Sequence, residues 1–400
     1  MTTNDPQPKP GVMTIAPYVP GDSSVPGTVE PIKLSSNESP LGACPAAREA
    51  AAAAIATMDV YPDGAAQALR EAIAEAEALP ADQIVCGAGS DELIALIANA
   101  YLREGDEAIH TAHGFLMYNI STRAAGGVPV PVPERDLHAD MDAILAAVTP
   151  RTKLVFLANP NNPTGTYVPF SAVRRLREGL PPHVILVLDA AYCEYVQRDD
   201  YENGAALVAQ THNTIMTRTF SKLYGLAGLR LGWAYCPPTI AAVLERVRGP
   251  FNVTSPALAA GTAAIRDRAF IAAAVDHNTQ ALAWLEPALT ALGLRVTPSV
   301  GNFVLIHFEG AGGAKGANAA DAFLRARGII LRKVAGYGLP GALRMTVGTD
   351  AQNRAVVDAL TAFTASVDVD QAQHGDATLG EPLSTRSQAT PADASAGRTL

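Results

Sequence analysis

Lys222 lies in the run Thr219-Phe220-Ser221-Lys222-Leu223-Tyr224-Gly225-Leu226-Ala227-Gly228-Leu229-Arg230-Leu231-Gly232, with no second charge before Arg230. A lysine is usually a solvated surface group, so the residue alone says little. Its setting says more. An amine among apolar neighbours is partly desolvated, which lowers its pKa and frees the lone pair to condense with a carbonyl. Thr219, Ser221 and Arg230 supply hydroxyl and guanidinium donors for an anion, Arg230 by charge-assisted bonding. The run therefore suits one molecule that is both an aldehyde and a phosphate ester. The bland alternative, a strand-to-loop turn with an incidental basic pair, loses weight only as further motifs accumulate.

Four such motifs follow apolar runs. Cys86-Gly87-Ala88-Gly89-Ser90-Asp91-Glu92 closes a strand and opens a helix, and the N–H groups of that first turn form an anion site. Alone it is weak, because many strand–helix turns carry glycine and an acidic cap; Asp91 reads as capping or orienting the turn. Leu186-Val187-Leu188-Asp189-Ala190-Ala191-Tyr192 sets a carboxylate at the C-terminal end of a strand, the edge where open α/β sheets bind ligands. There Asp189 would keep a pyridine nitrogen protonated, making the ring an electron sink, and Tyr192 would donate to a phenolic oxygen; a helix N-cap is the plainer reading. In Ala158-Asn159-Pro160-Asn161-Asn162-Pro163-Thr164-Gly165 two prolines fix φ and Gly165 permits a turn, so the Asn162 amide is held rigidly. In His113-Gly114-Phe115-Leu116-Met117-Tyr118, Phe115 is the candidate for offset packing on an aromatic ligand. Phe115 or Tyr118 also reads as ordinary core, and His113 as a packing residue. Aldehyde, phosphate, pyridine nitrogen and phenolic oxygen together describe pyridoxal 5'-phosphate.

Positioning these groups takes alternating strands and helices. Strands are expected at Ile84–Cys86, Ala108–Thr111, Val128–Val132, Leu154–Ala158, Val184–Leu188 and Thr214–Arg218. Helices are expected at Pro45–Met58, Ser90–Leu102, Met141–Val148 and Ala172–Glu178. That alternation predicts an α/β fold with a largely parallel sheet covered on both faces. Past about residue 255, longer helices and separated strands at Phe303–Phe308 and Leu343–Val347 suggest a smaller α+β domain. The expected division is a proline-rich N-terminal arm (1–30), a large cofactor-binding domain (31–255), a small C-terminal domain (256–365) and a disordered tail (366–400). The tail is read from a polar, aperiodic composition.

Composition narrows the class. Four hundred residues at 48% hydrophobic suffice for two cores. A net charge of -9 argues against a nucleic-acid surface, which needs clustered Lys and Arg. Charge or proline breaks every apolar stretch before it could span a membrane. The N-terminal segment lacks a basic start and apolar core, so a cytoplasmic location is expected. Cys44, Cys86, Cys193 and Cys236 are scattered and read as reduced packing residues rather than a disulfide or zinc framework, and no metal is expected.

In this order, from about Tyr18 to Gly348, the motifs resemble those of fold-type-I pyridoxal-phosphate aminotransferases, and within them the histidinol-phosphate aminotransferases. Pro17-Tyr18-Val19-Pro20-Gly21, Leu34-Ser35-Ser36-Asn37-Glu38-Ser39-Pro40-Leu41-Gly42, Tyr61-Pro62-Asp63-Gly64 and Leu343-Arg344-Met345-Thr346-Val347-Gly348 carry the closer likeness. The resemblance implies that Lys222 is joined covalently to the cofactor, Asp189 pairs with the pyridine nitrogen, and Asn162 and Tyr192 bond the phenolic oxygen. It places Ser90, Asp91, Thr219, Ser221 and Arg230 in a phosphate cup, with Tyr61 reaching that cup from the partner subunit of a homodimer. Arg344 would hold the substrate's anionic end, either the carboxylate of glutamate or the phosphate of histidinol phosphate, since a guanidinium fork suits both. Tyr18, Asn37 and Arg332 would assist. The implied activity is transamination between histidinol phosphate and 2-oxoglutarate in histidine biosynthesis. Two positions depart from the family's habit: Phe115 stands where tyrosine is common, and Ala190 where glutamate is common. An aromatic amino-acid aminotransferase and a decarboxylase of a phosphorylated amino acid stay open as alternatives. A non-catalytic regulator module would want a DNA-binding domain, which the first 40 proline-rich residues are too short to hold.

Overall fold

The computed structural model describes residues 6–17, 20–27 and 30–375. Seven strands, β1 (Ile84–Gly87), β2 (Glu107–Thr111), β3 (Val128–Val132), β4 (Thr152–Ala158), β5 (Ile185–Asp189), β6 (Thr214–Thr219) and β7 (Gly232–Tyr235), form one sheet of order β1-β7-β6-β5-β4-β2-β3. The pairs from β6 to β3 are parallel. β7 runs antiparallel to both β1 and β6, so β1 points the same way as the parallel set. The C-terminal ends of β1, β2, β4, β5 and β6 therefore open on one edge.

Burial explains the strand sequences. β5 and β6 are buried at every position, and β5 is apolar from Ile185 to Leu188, as a sheet covered on both faces requires. Alternation sorts β5 between two cores. Ile185 and Val187 pack with Leu93, Ile94 and Ile97 of the helix Ser90–Tyr101; Leu186 and Leu188 pack with Val173 and Leu176 of the helix Phe170–Gly179. β3 carries Pro129 and Pro131 and lies at the sheet's edge, where a missing ladder donor is tolerated.

A second, antiparallel sheet joins β8 (Arg295–Thr297), β9 (Phe303–His307), β10 (Arg332–Lys333) and β11 (Ala342–Thr346) in the order β8-β9-β11-β10. It has its own core, in which Leu285 and Leu289 meet Ile306, Leu343, Met345 and Leu360. Ile32–Lys33 pairs in parallel with Ile329–Ile330, which ties the segment before Asn37 to the C-terminal part of the chain.

The final helix, Asp350–Gly375, runs past the boundary expected at residue 366. Ser366 to His374 holds no proline or glycine, and its Ala, Gln, Val and Asp are all compatible with a helix; polarity alone was a poor stop signal. Residues 376–400, the rest of the expected tail, lie outside the described residues. The helix starting at Pro45 ends at Ile55, short of Met58. All four cysteines are free and buried. Among the described residues no helix is long and apolar enough to cross a membrane.

Candidate active site

Lys222 follows β6 in a loop that opens on the shared edge. Its ammonium group donates to the Ser36 carbonyl at 3.2 Å and lies 5.8 Å from the centre of the Tyr192 ring. Surrounding protein pushes its pKa down to about 8, chiefly by desolvation and then by the positive charge of Arg344.

Asp189 ends β5 and is buried. Tyr118 donates to its Oδ2 at 2.7 Å, and Thr217, its register partner on β6, donates to Oδ1 at 3.4 Å. Burial raises the carboxyl to about 6, with the Tyr118 bond acting in the opposite direction. The carboxylate is thus desolvated beside a cavity, which disfavours its charge until a cation meets it.

The Tyr192 hydroxyl accepts from Asn37 Nδ2 at 2.9 Å. Asn37 takes a left-handed φ of 55°, which asparagine tolerates better than most residues. Its backbone N–H donates to Thr346 Oγ1 at 2.8 Å, and Thr346 donates back to Asn37 Oδ1 at 3.2 Å. Those bonds fasten the Asn37 segment to β11. Arg344, also on β11, donates to Asn162 Oδ1 and, at 2.8 Å, to the Ser35 carbonyl. The Asn162 loop follows β4, and its Asn159–Pro160 and Asn162–Pro163 peptides are both cis.

The anion cradle is built from two chain segments. Ser90 opens its helix directly after Gly89, whose φ is +87°. Arg230 donates to Asp91 Oδ2 and to Ser221 Oγ, each at 3.2 Å. Thr219 Oγ1 accepts from the Ser221 N–H at 3.1 Å. Two glycines permit this approach: a Cβ on Gly89 would stand 2.6 Å from the Arg230 guanidinium, and one on Gly232 only 2.5 Å from the Ser90 nitrogen. Ser90 at a helix start, Thr219, Ser221 and the guanidinium-bearing Arg230 thus line one end of the cavity, a set of residues that suits a phosphate.

Ser90, Asp91, Phe115, Asn162, Asp189, Tyr192, Thr219, Ser221, Lys222, Arg230, Asn37, Arg332 and Arg344 all line one cavity of about 180 Å³. Tyr61 does not line it: its ring is 78% exposed and stacks on Phe251 with centroids 4.6 Å apart. Tyr18 lies outside the described residues. Phe115 precedes the helix Leu116–Ala125 and meets Tyr118 edge-on at 5.8 Å.

A family model described as aminotransferase class I and II matches residues 29–360. The chain belongs to this family. It is 54% identical over 361 residues to the histidinol-phosphate aminotransferase of Nitrobacter hamburgensis, covering 90% of this chain and 99% of that one. It is also 54% identical over 358 residues to the histidinol-phosphate aminotransferase of Paramagnetospirillum magneticum, covering 90% and 98%. Among solved structures it resembles the histidinol-phosphate aminotransferase of Sinorhizobium meliloti in complex with pyridoxal 5'-phosphate. There the TM-score is 0.78 and the identity 29%, over 84% of this chain and 91% of that one. The fold is accordingly the fold-type-I arrangement expected from the motifs.

Sequence reasoning missed the parts of the site that act through backbone or from within a helix. The carbonyls of Ser35 and Ser36 are bond acceptors that no side-chain pattern announces. Thr217 is found only through strand register. Tyr118 had a usable signal: it follows Phe115 by three residues, which places both on one side of a helix start.

Proposed function

We propose that this aminotransferase uses pyridoxal 5'-phosphate to move the amino group of histidinol phosphate to 2-oxoglutarate, a step of histidine biosynthesis. The observation that carries the reading is a partly buried amine of lowered pKa, Lys222, sharing one cavity with Arg344 and Arg332. The relatives that are 54% identical bear that activity in their names.

The residues present fit the cofactor. The glycine-lined cradle takes a phosphate, the desolvated Asp189 takes a protonated ring nitrogen, and Lys222 has the lowered pKa that condensation with an aldehyde needs. Ser90, Asp91, Thr219, Ser221 and Arg230 would hold the phosphate end. Phe115 would pack on the ring face, and Asn162 and Tyr192 would donate to the phenolic oxygen. When bound, pyridoxal phosphate supplies an aldehyde that joins the substrate amine and a cationic ring that draws electrons from the α-carbon.

This chain's own groups then do three things. Lys222 Nζ, whose lowered pKa makes it a usable base near neutral pH, would accept the proton of the substrate α-carbon and give it up again. Asp189 keeps its negative charge against the ring nitrogen, so the electron demand is maintained. Arg344, with Arg332, Asn37 and Tyr18, fixes the anionic end of either substrate and so orients the α-carbon towards Lys222.

The working unit in this reading is a homodimer. Met58, Val60, Tyr61 and Phe251 are exposed apolar side chains, and Tyr61 would reach the partner's phosphate cup. Residues 31–255 would form the cofactor domain and 256–365 a smaller domain that carries Arg332 and Arg344. Free, buried cysteines suit a reducing, cytoplasmic setting.

The deciding experiment is a half-reaction panel on purified protein, following loss of cofactor absorbance with histidinol phosphate, glutamate, phenylalanine and tyrosine. The reading expects kcat/KM for histidinol phosphate to exceed that for phenylalanine. A preference for phenylalanine would make it an aromatic aminotransferase, and carbon dioxide release without 2-oxoglutarate a decarboxylase.

A further inference from the structure

Tyr118 is buried, with 1% of its surface exposed, in the helix Leu116–Ala125. Its ring lies flat on Phe156, centroids 5.0 Å apart and planes 3° from parallel, and it meets Phe115 edge-on. Its hydroxyl donates to Asp189 Oδ2 at 2.7 Å. A tyrosine so clamped has one rotamer, so the hydroxyl's position is set by the core and not by the carboxylate it meets.

The surroundings of Asp189 give that bond weight. From β6, Thr217 offers only a 3.4 Å contact. From the helix Ser90–Tyr101, Asp91 adds negative charge that opposes ionisation. On its own segment Tyr192 stays protonated, and the Ala191 N–H donates to the carboxylate. Lys222 lies across the same cavity. Tyr118 is therefore the strongest neutral donor aimed at this carboxylate.

We propose that Tyr118 is a positioning residue for the reaction: its hydroxyl keeps Asp189 ionised and aimed into the cavity. Through the same ring it fixes the nitrogen partner and Phe115 relative to each other. The role rests on the functional reading above, because it matters to turnover only if Asp189 meets a ring nitrogen. Tyr118 passes no proton and touches no reacting atom.

The test is a double-mutant cycle with Tyr118→Phe and Asp189→Asn in the full chain. Tyr118→Phe keeps the stacked ring and removes one oxygen. In apoprotein labelled with carboxyl-13C aspartate, the signal lost in Asp189→Asn identifies Asp189. The proposal expects that signal to titrate about one pH unit or more higher in Tyr118→Phe, because a donor to a charged acceptor has been lost. In the loaded enzyme, Tyr118→Phe should weaken pyridoxal phosphate binding about tenfold or more in the wild-type background. It should change binding less than twofold when Asp189→Asn is already present. An unmoved Asp189 titration overturns the proposal. So does an equal loss of affinity in both backgrounds, which is the mark of a packing role. If wild-type protein takes up no pyridoxal phosphate while the Asp189 titration still moves, the functional reading has failed and the hydrogen-bond role has not.

Discussion

Arg332 and Arg344 stand directly opposite each other on the antiparallel strands β10 and β11, and both line the cavity that holds Lys222. Opposed residues on such a pair project from the same face about 5 Å apart, where like charges repel. An anion between them relieves that repulsion and is therefore favoured. Arg344→Lys keeps the charge and loses the planar fork, and should lower kcat/KM for histidinol phosphate about a hundredfold, mainly through KM. Arg332→Ala should cost about tenfold on the same substrate. Steady-state kinetics with histidinol phosphate and glutamate check both, and an unchanged KM in Arg344→Lys would remove Arg344 from substrate binding.

Lys222→Ala should abolish covalent attachment and reduce turnover at least about a thousandfold, since nucleophile and base are lost together. Borohydride reduction followed by peptide mass spectrometry should find the cofactor on Lys222 in the wild type and on no lysine in the variant.

In the proposed function Lys222 reacts as the neutral amine, and its pKa is lowered to about 8. At pH 7 only about one-tenth of it is neutral, and above pH 9 nearly all is. The second-order rate of combining apoprotein with pyridoxal phosphate should therefore climb through pH 8 and level off above it. A profile still climbing at pH 10 would show an ordinary, solvated lysine.

Asp189 has the opposite linkage. Its carboxyl is raised from 3.8 to about 6, so between those values the folded apoprotein binds more protons than the unfolded chain. Stability from this group is complete below about pH 4 and is lost as pH rises through 6. Asp189→Asn should thus gain on the wild-type apoprotein by about 2 kcal/mol between pH 4 and pH 7. Denaturant melts of both apoproteins at the two pH values measure it, and a constant difference would mean that Asp189 is not desolvated as described.

The strand ends were legible because burial writes them plainly. β5 runs Ile185-Leu186-Val187-Leu188 to Asp189 and β4 runs Leu154-Val155-Phe156-Leu157-Ala158 into the Asn162 loop, so the sequence already sets Asp189 and Asn162 at strand ends; β6, with three threonines and Arg218, is less plainly written. Tyr118 was not legible in the same way: an aromatic at helical spacing looks alike whether it fills a core or donates to Asp189. The Arg230–Asp91 bond joins residues far apart in the chain, and only the interposed strand β7 brings them together. The helix through Gly375 was hidden by polar residues that are neutral towards helix formation.

Gly89→Ala tests the cradle. The added methyl would meet the Arg230 guanidinium at 2.6 Å, on a backbone whose φ of +87° already disfavours a side chain. Affinity for pyridoxal phosphate should fall about tenfold or more, while pyridoxal without its phosphate should be held about as before. Equal losses for both would place the anion elsewhere.

The antiparallel strand β7 is also the last strand of the large sheet to be synthesised. It lies between β1 and β6, and its first residue, Gly232, sits against the Ser90 nitrogen. A nascent chain therefore holds both halves of the proposed anion cradle, with no strand between them, until Gly232–Tyr235 has been made. On the proposed reading, loading with the vitamin would wait for that strand to be made.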